Sequence, residues 1–191
     1  MTFTILLGSV RLDRMSVRAG RFVARALTAR GHEVTVVDPA DLKLPLLDRM
    51  YKEYPKGSAP ETLERLAGLY RDSDGFVIVT AEYNHSIPPA LSNLLDHFLE
   101  EYYFRPSAIV CYSPGQFGGV RAAMQLRAML GELGMPSVPS IFAIPSIRKA
   151  LDEDGQPSDA AAFERRFTRF ASEFEWYAAA LKAARAGGVP Y

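Results

Sequence analysis

Short apolar runs alternate with segments of helical periodicity along the chain. Each run is short enough to form one buried strand. Between the runs, apolar residues recur at a spacing that is typical of a helix with one face turned to a core. The predicted strands are residues 3–7, 33–38, 75–80, 106–112 and 137–144. The predicted helices are residues 16–30, 60–71, 91–101, 120–133 and 159–184.

This alternation predicts an α/β fold with a doubly wound parallel sheet and helices on both faces. Crossovers between parallel strands are right-handed, and five strands favour the order 2-1-3-4-5. The length of 191 residues suits one domain, so we expect a single domain over residues 1–191. Prolines interrupt residues 39–60, which fit either an insertion packed over the sheet edge or a lid over a site.

Composition narrows the classes of protein that this fold can represent. Lys and Arg number 22, Asp and Glu also number 22, and the zero net charge argues against a broad nucleic-acid surface. Cys111 is the only cysteine, which excludes a disulfide framework within one chain, and its place in the fourth strand predicts a buried thiol. No signal-like segment opens the chain and no apolar run has the length of a membrane span. We therefore expect a cytoplasmic protein that binds neither nucleic acid nor membrane.

The three histidines are scattered, so no metal site is predicted. We expect His32 to face solvent, and His97 to form a polar pair with Asp96 on a helix face or an interface contact. Arg121 fits a structural salt bridge and a place at the edge of a site equally well. Residues 102–104 are all aromatic and form either core or subunit interface.

Residues 8–16 form a polar first loop after the first strand. Ser9 and Ser16 supply hydroxyls, and Arg11 and Arg14 supply guanidinium groups. This set favours a phosphate, because helix N-termini attract anions and arginine binds phosphate with paired hydrogen bonds. The alternative is that Ser16 only caps the helix and the arginines are solvated. The loop lacks the patterns of a dinucleotide site and of a P-loop, so both are disfavoured.

Two further polar loops follow the third and fourth strands, and a parallel sheet places them at the same edge. In residues 82–86, the flat rings of Tyr83 and His85 accompany polar side chains, which suits a planar heteroaromatic ring. The loop after the fourth strand contains Gly115 and Gly118, which let the backbone approach a ligand closely. Together the loops predict a mononucleotide site, with the phosphate at the first loop and the ring between the other two.

Three segments carry a family resemblance, and in chain order they are Gly8-Ser9-Val10-Arg11, then Glu82-Tyr83-Asn84-His85-Ser86-Ile87-Pro88 with Ala90-Leu91 and Asn93, and then Ser113 and Gly115 with Phe117-Gly118-Gly119-Val120-Arg121-Ala122. The chain resembles the NAD(P)H-dependent FMN reductases of flavodoxin-like fold, a group that includes quinone, azo-dye and chromate reductases. The second segment is the most specific. The resemblance covers roughly residues 3–145.

The resemblance implies FMN as the cofactor. Ser9, Arg11 and Ser16 would hold its phosphate. Because the first loop is longer than the commonest family version, Arg14 or the Met15 amide is the alternative to Ser16. The residues implied around the isoalloxazine ring are Glu82, Tyr83, Asn84 and His85 on one side, acting largely through main chain, and Ser113, Gly115 and Gly118 on the other.

The resemblance also implies that NADPH or NADH reduces FMN and that the electrons pass to a flavin, quinone, azo compound or metal oxyanion. Because FMN would carry this chemistry, no side chain is assigned a catalytic role. The family suggests a homodimer or homotetramer with FMN near the subunit interface. The alternative is a flavodoxin-type electron carrier, which binds FMN without oxidising NAD(P)H. Such carriers are typically acidic, so the zero net charge argues against that alternative.

Overall fold

The computed structural model describes residues 1–191 and contains one five-stranded sheet. Its strands are β1 (Thr2–Leu7), β2 (Glu33–Val37), β3 (Gly75–Ala81), β4 (Ser107–Tyr112) and β5 (Ser137–Ile144). Their order across the sheet is β2-β1-β3-β4-β5, and every neighbouring pair is parallel. The predicted fold class and strand order are confirmed.

Seven α-helices accompany the sheet. They are α1 (Ser16–Ala29), α2 (Pro39–Leu42), α3 (Glu61–Asp72), α4 (Pro89–Asp96), α5 (Val120–Glu132), α6 (Ile147–Ala150) and α7 (Ala160–Ala186). Four of the five predicted helices have bounds within two residues of the prediction. The short helices α2 and α6 were not predicted. None of the helices combines the length and apolar character needed to cross a membrane.

The core has two layers, one on each face of the sheet. Alternate residues of the central strand β3 serve both layers, with Val77 and Val79 on one face and Phe76 and Ile78 on the other. The first layer packs under α1 and α7, and the second under α3, α4 and α5. Because both faces are covered, β3 and β4 are buried along their whole length. The predicted helices on both faces are confirmed.

Helix α4 ends at Asp96, which corrects the predicted end at residue 101. The ring nitrogen Nδ1 of His97 lies 2.6 Å from the carbonyl oxygen of Asn93, so the ring satisfies a carbonyl of the last turn. The His97 carbonyl accepts a hydrogen bond from the Tyr51 amide at 2.8 Å, and a 3₁₀ turn follows at Glu100–Tyr102. The buried His97 ring therefore bonds to the backbone rather than to Asp96.

The segment of residues 39–60 packs against α4 in its first half and against α3 in its second half, where Glu64 accepts hydrogen bonds from the Tyr51 hydroxyl and the Ala59 amide. Asp38 accepts a hydrogen bond from the second residue of α2 at 3.0 Å, which caps that short helix. The side-chain amide of Asn93 accepts a hydrogen bond from the Leu47 amide at 2.9 Å and donates one to the Pro45 carbonyl at 2.8 Å. These contacts favour the packed insertion over the lid.

Two predictions about single residues have opposite outcomes. Cys111 is completely buried in β4, as predicted. The prediction that His32 faces solvent is wrong, because α7 covers it. Its Nε2 atom lies 2.8 Å from Oε1 of Glu175 in α7, and only 10% of its side chain is exposed.

Of the aromatic residues 102–104, the first lies in the core and the other two pack against the C-terminal residue of the chain. Tyr102 is fully buried, with its ring centroid 5.3 Å from that of Tyr70. The rings of Tyr103 and Phe104 lie 5.4 and 5.0 Å from the ring of Tyr191. The core alternative is therefore confirmed for Tyr102.

Candidate functional site

The three polar loops meet in one cleft at the C-terminal edge of the sheet. Strands β1, β3 and β4 are neighbours, and the strand order reverses between β1 and β3, which is where ligands bind in sheets of this kind. The cleft encloses about 220 Å³. Its walls are formed by Ser9, Arg11, Asp13, Arg14, Met15, Ala81, Glu82, Tyr83, Tyr112, Pro114 and Arg148. The predicted meeting of the loops is therefore observed.

The two arginines of the first loop differ in their surroundings. Arg14 donates to Asp38 at 2.6 Å, and only 19% of its side chain is exposed. Arg11 is 68% exposed, and its nearest carboxylate oxygen, on Asp13, is 3.8 Å away. Arg11 is therefore the more available of the two guanidinium groups for an anion in the cleft.

The start of α1 has polar groups that lack partners. Its N-cap is Met15, whose side chain makes no capping hydrogen bond, so the alternative that Ser16 caps the helix is wrong. Ser16 is the first residue of α1 and is completely buried, yet its hydroxyl has no hydrogen-bond partner. A buried polar group in this state costs roughly 1–3 kcal/mol. A phosphate at the helix N-terminus would relieve that cost, so the site fits the phosphate of FMN.

Hydroxyl groups cluster in the same wall of the cleft. The Ser9 and Tyr83 hydroxyls are 2.6 Å apart, and Ser9 is only 2% exposed. Tyr112 ends β4 beside Ser9 and Ser16, and burial raises the pKa of its phenol well above its ordinary value. The phenol of Tyr112 is therefore neutral and keeps its proton at physiological pH.

The second loop is a tight turn over residues 83–86. Tyr83 and Ser86 exchange two backbone hydrogen bonds, at 3.0 and 2.9 Å. Between them, Asn84 and His85 have φ angles of 50° and 61°, the left-handed values of a type I′ turn. The side chain of Gln125 in α5 donates to the His85 carbonyl at 2.9 Å and accepts from the Ser86 hydroxyl at 2.7 Å. The turn is therefore anchored to α5.

Glu82 also anchors the second loop to α5. One of its carboxylate oxygens accepts hydrogen bonds from the backbone N–H groups of Arg121 and Ala122, at 3.0 and 3.4 Å. The Arg121 guanidinium approaches the other oxygen at 3.4 Å. A carboxylate is favourable at the positive end of a helix. Both charged groups are engaged in this contact, which favours the structural salt bridge for Arg121.

The third loop is held by the segment that follows β5. The Ser113 hydroxyl donates to the Gly115 carbonyl at 3.0 Å, and that carbonyl also accepts from the Ser146 amide at 2.9 Å. Gly115 is exposed and has open space around it. Gly118 is buried, and a Cβ there would lie 3.2 Å from the Pro145 nitrogen.

The sequence-predicted residues occupy three kinds of position. Those in the cleft wall are Ser9, Arg11, Arg14, Met15, Glu82 and Tyr83. Ser16 lies buried behind the wall, and Asn84, His85, Ser113 and Gly115 lie in the loops that adjoin it. Gly118 shapes the turn against Pro145, so its predicted contact with a cofactor stays a prediction.

The structure adds wall residues that sequence reasoning missed. Tyr112 could have been found, because it is the last residue of a strand that runs into a polar loop. Arg148 lies on the unpredicted helix α6, and no motif marks it. A second, mostly apolar cavity of about 530 Å³ lies on the other side of the first loop, between α2 and α4. No group of three or more His, Cys, Asp or Glu side chains converges as a metal site.

A family described as NADPH-dependent FMN reductase matches residues 1–149 of the chain. The chain belongs to that family. As a member, it is an FMN-dependent oxidoreductase that uses NAD(P)H, and the predicted family, enzyme class and cofactor are confirmed.

Named relatives agree with the membership in the FMN reductase family. A quinone reductase of Pseudomonas putida is 33% identical over 159 residues, which are 78% of this chain and 80% of the relative. An NAD(P)H-dependent FMN reductase of Schizosaccharomyces pombe is 30% identical over 151 residues, which are 73% of this chain and 70% of the relative.

Solved structures support the flavodoxin-like fold. FerB, a flavoenzyme NAD(P)H:(acceptor) oxidoreductase of Paracoccus denitrificans, superposes with a TM-score of 0.75 at 23% identity, covering 92% of this chain and 96% of FerB. A flavodoxin variant of Pseudomonas aeruginosa gives a TM-score of 0.54 at 20% identity, covering 95% of this chain and 99% of the flavodoxin. At these identities the likeness concerns the fold alone.

Proposed function

We propose that this member of the FMN reductase family takes reducing equivalents from NADPH or NADH and passes them to a small-molecule acceptor, with a quinone as the first candidate. The observation that carries the proposal is the cleft at the start of α1. There, Ser16 is buried without a partner and the helix N-terminus has no side-chain cap. The names of the Pseudomonas putida and Escherichia coli relatives support a quinone as acceptor.

The chain's own residues would hold FMN by its two ends. Ser9, Arg11, Ser16 and the first backbone N–H groups of α1 would bind the phosphate. The turn over residues 83–86 and the exposed backbone at Gly115 would border the ring. When bound, FMN supplies the hydride and electron transfer chemistry.

No side chain of the cleft is placed as a catalytic acid or base. The Tyr83 hydroxyl is engaged by Ser9, and the Glu82 carboxylate by the start of α5. Burial keeps the pKa of the Tyr112 phenol high, so the phenol does not give up its proton near neutral pH. The protein therefore contributes orientation and hydrogen bonding.

The experiment is to purify the protein, load it with FMN and follow the oxidation of NADPH and NADH with and without a quinone. We expect quinone-dependent oxidation of at least one nucleotide, and the ratio of the two KM values gives the nucleotide preference. Flavin, azo-compound and metal-oxyanion acceptors are tested in parallel. A protein that binds FMN but oxidises neither nucleotide would instead be a flavodoxin-type carrier.

We further propose that the protein works in the cytoplasm as a homodimer or homotetramer. Exposed leucines at the rim of the apolar cavity support self-association, since Leu12 is 103% and Leu46 is 83% exposed. Light scattering coupled to size-exclusion chromatography measures the mass directly. A monomer at micromolar concentration would contradict the proposed assembly.

A further inference from the structure

Arg148 reaches the cleft from outside every sequence motif. It lies on α6, after the last strand, and its side chain is 59% exposed. Its Nη2 atom donates to Oδ2 of Asp13 in the first loop at 2.9 Å. Arg148 therefore spans the gap between the segment after β5 and the first loop, and it forms part of the cleft wall.

The position of Arg148 is held by its neighbours in the chain. The Ser146 amide donates to the Gly115 carbonyl at 2.9 Å, and the Ile147 amide donates to the Ser113 carbonyl at 3.1 Å. Ile147 is completely buried in the core. These contacts fasten α6 to the third loop, so the Arg148 guanidinium is presented to the cleft from a fixed base.

The charges of the cleft divide into engaged and available groups. Arg14 is paired with Asp38, and Glu82 is bound to the start of α5. The remaining charges are Arg11 and Arg148, which share the carboxylate of Asp13 at 3.8 and 2.9 Å. All three side chains are more than half exposed, so their mutual attraction is weak in water.

We infer that Arg148 binds the phosphate of the flavin cofactor together with Arg11, and that Asp13 competes with this phosphate for both arginines. This inference rests on the proposed function, because it assumes that FMN occupies the cleft. A phosphate carries more negative charge than a carboxylate and accepts hydrogen bonds from two guanidinium groups at once. It therefore replaces Asp13 as the partner of Arg148.

Competition by Asp13 and a purely structural role of Asp13 predict opposite changes in FMN affinity when Asp13 is replaced. If the Asp13–Arg148 pair only fastens the first loop to α6, removing either partner loosens the cleft and weakens binding. If Asp13 competes with the phosphate, Arg148→Ala weakens FMN binding and Asp13→Asn strengthens it. Riboflavin, which has the same ring but no phosphate, responds to neither variant.

The experiment titrates the full-length, flavin-stripped protein with FMN and with riboflavin, following the quenching of flavin fluorescence. Arg148→Ala is expected to raise the Kd for FMN about tenfold and to make it less sensitive to salt. Asp13→Asn is expected to lower the Kd for FMN by a few-fold. The matched control is Lys149→Ala, because Lys149 is an exposed cation on the same helix outside the cleft. This variant is expected to leave the Kd values for FMN and for riboflavin unchanged.

Each other result overturns the inference. If Arg148→Ala binds FMN with the same Kd as the wild type, Arg148 does not contact the phosphate. If that variant also has a raised KM for NADPH, Arg148 binds the nucleotide instead. A parallel loss of FMN and riboflavin binding in both variants assigns the pair to loop structure. If the wild type binds no FMN, the proposed function fails as well. Arg148→Gln replaces Arg148→Ala if thermal unfolding shows that the alanine variant is destabilised.

Discussion

Three hydroxyl groups lie in the wall of the cleft, those of Ser9, Tyr83 and Tyr112, and a fourth, that of Ser16, is buried behind the wall. Hydroxyls both donate and accept, so they adapt to a bound anion without bringing a charge of their own. Only the Ser16 hydroxyl is buried with no partner. At the residue scale, the account therefore predicts different effects for different hydroxyls.

Ser16→Ala is expected to weaken FMN binding without destabilising the flavin-free protein. The variant removes a buried hydroxyl that has no partner, so the unfolding temperature without FMN stays the same or rises. With FMN, the loss of a hydrogen bond to a charged phosphate raises the Kd by about tenfold or more. Calorimetry with and without FMN measures both effects, because a bound ligand raises the unfolding temperature.

Ser107→Ala is the control for Ser16→Ala. Ser107 is also a completely buried serine, but it begins β4 at the opposite edge of the sheet from the cleft, and its hydroxyl donates to the Met135 carbonyl at 3.3 Å. Its variant lowers the unfolding temperature and leaves the FMN-dependent increase unchanged. If Ser16→Ala behaves in the same way, the Ser16 hydroxyl does not bind the cofactor.

Tyr83→Phe tests the view that the second loop holds the flavin rather than reacting with it. The variant removes the 2.6 Å hydrogen bond to Ser9, so the Kd for FMN rises about two- to tenfold. The rate of anaerobic reduction per bound flavin is unchanged, as it is in the remote control Tyr177→Phe. Full FMN occupancy combined with lost reduction would show that the Tyr83 hydroxyl takes part in the chemistry.

At the scale of secondary-structure elements, the second and third loops of the cleft are each held by an element further along the chain than the one that follows them directly. Glu82 and Gln125 tie the second loop to α5, and the segment of Ser146 ties the third loop to β5 and α6. The geometry of the cleft therefore also depends on Gln125 and Ser146, which do not line it.

Glu82→Gln tests this anchoring. The variant keeps a hydrogen-bonding side chain but removes the charge at the positive end of α5, so the free energy of unfolding falls by about 1 kcal/mol. Glu132→Gln is the matched control, because Glu132 is an exposed carboxylate at the opposite end of the same helix. Removing the charge of Glu132 is expected to leave the free energy of unfolding unchanged or to raise it slightly. Denaturant unfolding of both variants checks the difference, and equal effects would contradict the role of the helix dipole.

The sequence predicts the long elements of this protein well and its short ones poorly. The strands and the long helices follow from apolar periodicity, and the polar loops follow from where the strands end. The end of α4 lies where the His97 carbonyl accepts a hydrogen bond from the Tyr51 amide, and α6 forms where Ile147 enters the core. Both depend on distant parts of the chain, so periodicity does not reveal them. Arg148 was missed for the same reason.

At the scale of the whole molecule, the buried acids predict a loss of stability in alkaline solution. Burial raises the pKa of Cys111 to about 12 and raises the pKa values of Tyr70, Tyr102 and Tyr112 well above their ordinary value. Below about pH 8 both the folded and the unfolded state keep these protons, so the contribution of these groups to stability is complete. Above it, the unfolded state loses protons that the folded state retains, and stability falls.

The free energy of unfolding should therefore decrease from about pH 8 upward, first through Cys111 and then through the tyrosines, with each group adding up to about 1.4 kcal/mol per pH unit. Chemical denaturation at a series of pH values measures this slope. Tyr102→Phe removes a buried phenol that has no hydrogen-bond partner, so the variant folds and shows a shallower slope. An unchanged slope would mean that Tyr102 already titrates in the folded protein.

The central claim is that the cleft holds FMN and that bound FMN accepts electrons from NADPH or NADH. The most direct measurement is the absorbance of the FMN-loaded protein during anaerobic titration with each nucleotide. We predict that about one equivalent of NADPH or NADH bleaches the yellow colour and that a quinone restores it. FMN that stays yellow with both nucleotides, although dithionite bleaches it, would contradict the claim.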